Sequence, residues 1–288
     1  MGKVVDLSNL DYENVVRLIR CFEPGATSIN MTNLEFSQTD GLVLLTLFLV
    51  HQGRIGVIPV RLCPIKAESC PLTYMNRVHF FNKVSNYIEL DSEDKDKLNT
   101  LSRYAEYNSD NFTPLIDRND EYGTLQNLDH IVDVFVGYLA RIYAPGDDTL
   151  DRMKDIINEN FLNVRNHSNI DLPPLPYYCA QIQCYASKRF RLAIGDLGMG
   201  IMESLNTVHS YPNSESALRA VTKEPVSRFQ AVNLDRGGGI RHIFDYTDKL
   251  NIGCRLRSGD AETVQFPGIP ITERKTVYFP GTQLFLWK

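Results

Sequence analysis

Three side chains in the second half of this sequence stand four residues apart: Glu159, Asn163 and His167. In an α-helix that spacing lines them up along one face. An asparagine side-chain carbonyl is a hard oxygen ligand of the kind Mg²⁺ accepts, and Mg²⁺ fills its other positions with water and phosphate oxygens. A carboxylate one turn earlier can orient a water or hydroxyl for attack on a phosphoryl group. The trio therefore has the chemistry of a metal–nucleotide site. Taken alone, it is more simply a solvated polar stripe.

Two glycine clusters follow. Asp196 ends an alternating segment and is followed by Gly198, Gly200 and Ile201. A carboxylate there accepts a hydrogen bond from an exocyclic amine, and glycines let a flat ligand approach the backbone. A plain turn carries the same signature. Further on, Arg236-Gly237-Gly238-Gly239-Ile240 precedes a helix candidate running to about Leu250. Glycines opening a helix expose N–H groups where the helix favours anions. The pattern is neither the P-loop nor the dinucleotide signature. Pro280-Gly281-Thr282 then leads into a closing strand, Gln283 to Trp287.

The elements that must position these groups are legible around them. Leu128, Ile131, Val132, Phe135, Leu139 and Ile142 recur at helical spacing, and Pro145-Gly146 ends that helix. Asp147, Asp148 and Thr149 are N-cap candidates for the helix that carries Glu159. Ala180 to Ala186 and Phe190 to Ile194 alternate as a hairpin around Ser187-Lys188.

In the first hundred residues short strands alternate with helices, the pattern of a small α/β domain. The strand candidates are 28–32 and Ile55 to Val60, the second at a sheet edge because of Pro59. The helix candidates start at Gly41 and span Leu72 to Val84, and the charged run 91–97 reads as a solvated helix start or loop. A segment rich in Asn, Asp, Tyr and Gly, about 104–124, marks the boundary between two domains.

A chain of 288 residues fits two domains of ordinary size. Its net charge of −5 gives no overall pull towards nucleic acid or anionic lipid, and a basic patch such as Lys188-Arg189-Phe190-Arg191 reads as a solvated strand face. The apolar run Leu42 to Val50 is too short for a bilayer. No signal peptide opens the chain, and Asp6 spoils a myristoylation reading of Gly2. The six cysteines are scattered, without zinc-ligand spacing, as expected of free thiols in a reducing cytoplasm.

The order of the clusters is more specific than any one of them. Glu159-x-x-x-Asn163-x-x-x-His167-Ser168, DLGMGI at 196–201, RGGGI at 236–240 and PGT at 280–282 resemble the N box, G1 box, G2 box and final Thr of the GHKL (Bergerat-fold, histidine-kinase-like) superfamily. HS after the N box, GMGIMESL, and SALRAVTKEPVSR before G2 are most similar to its anti-sigma-factor-like regulatory members. More faintly, residues 29–42 and the elements after them resemble a STAS-like domain. The fold expected is thus α/β throughout, a STAS-like domain over 1–115 and a GHKL α/β sandwich over 121–288.

The resemblance implies ATP and Mg²⁺ as ligands. Asn163 would bind the metal and Glu159 would position the nucleophile. Asp196 would read the adenine amine with Thr282 beside it. Gly198 and Gly200, with Ile201, would admit the base, and Gly237 to Gly239 would cradle phosphates. His167 and Arg236 would complete the nucleotide site. Residues between Ile201 and Gly237 would form a lid carrying Lys223 and Arg228. Thr39 falls where STAS antagonists carry a phosphorylatable serine, although it or Asp40 also reads as a helix N-cap. The protein expected is a cytoplasmic switch acting on a protein partner, with self-association as a homodimer also open. It would work as a slow ATPase, a Ser/Thr kinase or a non-catalytic ATP-gated module, with no role for membrane or nucleic acid.

Overall fold

A computed structural model describes residues 3–24, 27–57, 60–63, 70–102, 111–117, 120, 128–144, 147–167, 177–185, 187–227 and 238–288. The chain divides into two units, Met1–Leu115 and Ile116–Lys288.

The first unit runs β1 (Lys3–Asp6), β2 (Asn9–Leu10), α1 (Tyr12–Cys21), β3 (Thr27–Asn30), β4 (Phe36–Ser37), α2 (Thr39–Arg54), β5 (Val60–Cys63), α3 (Cys70–Arg77), α4 (Phe80–Val84), β6 (Ile88–Glu89) and α5 (Ser92–Ser102). Parallel strands require crossovers. The sheet β1-β3-β5-β6 is parallel at every step, with helices between its successive strands, while β2 and β4 pair separately. Asp11 caps α1 by accepting from the Asn14 amide at 2.9 Å. In α2 the run Leu42 to Val50 is buried on all sides, as a helix without a polar face must be.

Several expectations are corrected here. Ile55 and Gly56 form the turn that closes α2, and the following strand runs from Val60 in the sheet interior between β3 and β5's other neighbour, β6; Pro59 lies outside the described residues. The single helix expected over Leu72 to Val84 is broken in two, because His79 takes a left-handed conformation (φ 64°) as the cap of α4. The charged run is not wholly solvated: Asp91 accepts from the Asp94 amide at 2.8 Å to start α5, and Asp94 is 1% exposed. At the start of α2 the cap residue is Gln38. Thr39 follows it in the first turn at 0% exposure, while the Asp40 carboxylate accepts from the Gly41 amide.

The second unit runs β7 (Ile116–Asp117), α6 (Leu128–Leu139), α7 (Asp148–His167), β8 (Tyr178–Tyr185), β9 (Arg189–Asp196), α8 (Gly200–Leu205), α9 (Ser214–Lys223), α10 (Gly239–Lys249), β10 (Gly253–Gln265) and β11 (Thr272–Trp287). Its sheet has the order β10-β11-β9-β8-β7 and is antiparallel throughout. Alternate residues of the sheet, such as Tyr178, Ala180, Ile182, Leu192, Ile194, Leu256 and Leu284, pack against Phe135, Ile157, Phe161, Leu218 and Phe244 from the helices. The result is one helical layer on one sheet face. Asp147 caps α7, accepting from the Thr149 amide at 2.9 Å.

Three differences from expectation bear on the site. β7 pairs with β8, so this unit takes in residues before 121. The closing strand starts at Thr272 and forms a long hairpin with β10, whose register shifts around Gly259. The stretch after Ile201 is not one lid, since α9 buries Ala217, Leu218 and Val221 in the core. Among the described residues no helix is long and apolar enough to cross a membrane.

Candidate functional site

A cavity of about 290 Å³ opens in the second unit, walled by α7, α8 and α10 and by the strand ends of the sheet. Glu159 and Asn163 reach it from α7, and Asp196 from the last position of β9. Gly200 and Ile201 line it at the start of α8, Gly238 and Gly239 at the start of α10, and Thr282 on β11. Residues separated by more than 120 positions are thus brought to one hollow.

The end at Asp196 is held by backbone. Asp196 is 5% exposed, and its carboxylate accepts from the Gly198 amide at 2.7 Å. Burial pushes its pKa up to about 7, while hydrogen bonds from the Gly198 and Thr282 amides act in the opposite direction. Beside it β11 turns at Gly281 (φ 79°), where a Cβ would run into the Asp196 carbonyl. The Ser258 hydroxyl ties the neighbouring elements together. It accepts from the Ile201 amide at 2.8 Å, donates to the Gly281 carbonyl at 3.0 Å, and lies 3.4 Å from the Thr282 hydroxyl. Gly200 (φ 76°) lets α8 start against this knot, since a side chain there would meet Ser258.

The other end is built on α10. Its cap residue Gly238 is left-handed (φ 102°) and has no side-chain cap hydrogen bond. The Glu159 carboxylate packs against Gly239 instead. A negative charge at that position is stabilised by the unsatisfied N–H groups of the first helical turn. Arg165 and His242 also line the cavity, as does Asn160. Between the two ends the wall is apolar, with Leu205, Val221, Ile243 and Leu284 contributing.

Sequence-predicted residues therefore divide into groups. Glu159, Asn163, Asp196, Gly200, Ile201, Gly238, Gly239 and Thr282 converge. Gly198 holds the Asp196 carboxylate rather than the cavity wall. Lys223 ends α9 and stands 3.8 Å from Glu273, away from the cavity lining. Arg228, Arg236 and Gly237, and the side chain of His167, lie outside the described residues. Thr39 belongs to the other unit. Asn160, Arg165, His242 and Ser258 were not anticipated. The signal for Asn160 was a polar residue at a core position of α7; Ser258 gave none.

Among the described residues no group of three His, Cys, Asp or Glu could hold a metal. Asn163 and Glu159, which carry a carbonyl and a carboxylate, both line the cavity. Such hard oxygen donors suit Mg²⁺ arriving with a phosphate ligand, because that ion keeps water and phosphate in most of its positions. No family model matches this sequence, and no curated protein is detectably similar to it.

Proposed function

We propose that the second unit is an ATP-binding domain of GHKL type and that the protein is a nucleotide-dependent switch with slow ATPase activity, acting on a protein partner. One observation carries this reading: Glu159, Asn163, Asp196, Gly238, Gly239 and Thr282 share a single cavity. A cavity with a buried carboxylate at one end, an apolar middle and a helix N-terminus at the other is matched to a purine nucleoside polyphosphate. Asp196 accepts from the adenine amine, the apolar wall covers the ring, and the first turn of α10 faces the phosphates. Asn163 would hold Mg²⁺, which neutralises phosphate charge when bound. Glu159 is then placed to orient water, which favours turnover over binding alone. The first unit, STAS-like by resemblance, is the proposed partner-binding module. The kinase alternative requires a protein acceptor, and the burial of Thr39 weighs against Thr39 as that acceptor.

Thermal denaturation with nucleotide tests the reading. A ligand at 100 times its Kd adds about 2.7 kcal/mol. Each kcal/mol moves the melting temperature of a domain this size by roughly 2–4 °C. ATP with Mg²⁺ should raise it by several degrees and GTP by less, because a 6-oxo group cannot donate to Asp196. Asp196→Ala should abolish the ATP shift. Equal shifts for ATP and GTP would defeat the adenine-reading role.

A further inference from the structure

Helix α7 lays a stripe of buried residues against the core: Met153, Ile156, Ile157, Phe161 and Val164. Asn160 stands in that stripe, 5% exposed, where the fold by itself calls for an apolar side chain. Its amide nitrogen Nδ2 is buried without a hydrogen-bond partner among the described residues. Leaving such a group unsatisfied destabilises the fold, a cost that a leucine in its place would avoid. Asn160 also lines the cavity, on the core-facing side of Glu159 and Asn163. Nδ2 itself has almost no accessible surface, so the side chain must turn for this donor to reach what the cavity receives.

Depth decides which part of the ligand it meets. Glu159 and Asn163 are only half-buried, at the rim that faces α10, and highly charged phosphates belong there. Asn160 is sunk into the core, as is Asp196, so it meets the buried, planar part of the ligand. The ring nitrogens of adenine (N1, N3 and N7) are hydrogen-bond acceptors without protons, complementary to an amide N–H.

Resting on the reading of the cavity as an ATP site, we propose that Asn160 is a base-reading residue whose amide donates, directly or through one bound water, to an adenine ring nitrogen. Asp196 then accepts from the amine, and the two side chains read complementary features of one ring. Asn160 is a specificity residue and takes no part in the phosphoryl chemistry.

The test measures binding of ATP·Mg and its 1-deaza, 3-deaza and 7-deaza analogues to the full-length protein and to Asn160→Leu, with melting temperatures of both unliganded proteins. Unliganded N160L should melt at the same temperature or higher, because the unsatisfied amide is gone. Its ATP affinity should fall about tenfold, the effect of one lost hydrogen bond. The unsubstituted protein should bind one deaza analogue about tenfold more weakly than ATP, and N160L should not distinguish that analogue from ATP. A strongly destabilised but folded N160L with unchanged ATP affinity would make Asn160 structural and overturn the proposal. If N160L does not fold, the analogue series on the unsubstituted protein decides, since equal affinity for all three and ATP overturns it. ATP binding that ignores Asn160 leaves the proposed function standing, whereas no ATP binding by the unsubstituted protein defeats both.

Discussion

The carboxylate of Glu159 lies against Gly239 so closely that a methyl group on that glycine would displace it. The contact joins α7 to the first turn of α10 and places an anion where a helix favours one. A bound phosphate would want the same place. On the proposed reading, the residue that would orient water for attack stands at the end of the cavity where phosphates would lie.

It follows that Glu159→Gln should separate binding from turnover. Without metal, the glutamate and the ligand repel one another, and removing one charge is worth about 1 kcal/mol or more at short range. Calorimetry in the presence of a chelator should show metal-free ATP binding about fivefold or more tighter to E159Q than to the unsubstituted protein. Phosphate release with Mg²⁺ should fall by about 10²–10⁴-fold, the usual range for a general base. Unchanged turnover would remove Glu159 from the chemistry.

Two glycines on this cavity should respond differently to alanine. At Gly239 the obstacle is the end of a flexible side chain, Glu159, which can swing aside. At Gly281 the obstacle is the backbone of Asp196, and φ is 79°. Gly281→Ala should therefore cost about 1–3 kcal/mol, and Gly239→Ala well under half of that. Chemical denaturation of both variants checks the order. If G239A proves the more damaging, the Glu159 contact is more rigid than its chemistry implies.

Acidity should act on stability and on binding with opposite signs. The Asp196 pKa is about 7 in the folded protein and about 3.9 when unfolded, so the folded state holds the proton more tightly. That contribution to stability is complete below about pH 4 and is lost as pH rises to about 7. An amine donor prefers the ionised carboxylate, so ATP affinity should rise over the upper part of the same window. At pH 6 it should be about tenfold lower than at pH 8. Titration of the nucleotide's own phosphate is common to all variants, so Asp196→Asn should leave only that component.

Labelling the protein with γ-labelled ATP should leave Thr39 unmodified while free phosphate accumulates. Its hydroxyl is enclosed in the first turn of α2, and reaching it would require that turn to open. Mass spectrometry after incubation checks this, and label on Thr39 would restore the internal kinase circuit.

The motif residues were legible because each carries a rare chemical role at a fixed offset: a carboxylate and an amide four apart on a helix, or an aspartate before paired glycines. The helix start at Asp147 was written in the same local code of capping. What stayed hidden depends on distant chain. Ser258 matters through Ile201 and Gly281, which no local pattern links to it. His79 breaks a helix that its periodicity would continue, and Asp94 is buried within a run of charges. α9 was expected to be lid because the resemblance implies one between Ile201 and Gly237, yet Ala217, Leu218 and Val221, at helical spacing, fill the core. Asn160 was visible as a letter, but its unsatisfied amide appears only once its neighbours are in place.

The contact between Gly281 and Asp196 also sets how this cavity could be reshaped, by selection or by design. At that contact the sheet side of the cavity is main chain pressed on main chain, with no side chain to trim. The helix-side wall is made of replaceable groups, among them Leu205, Val221 and Ile243. On the proposed reading, room for a bulkier base beside Asp196 would come from replaceable side chains such as these, while the Gly281–Asp196 contact acts as a fixed jaw.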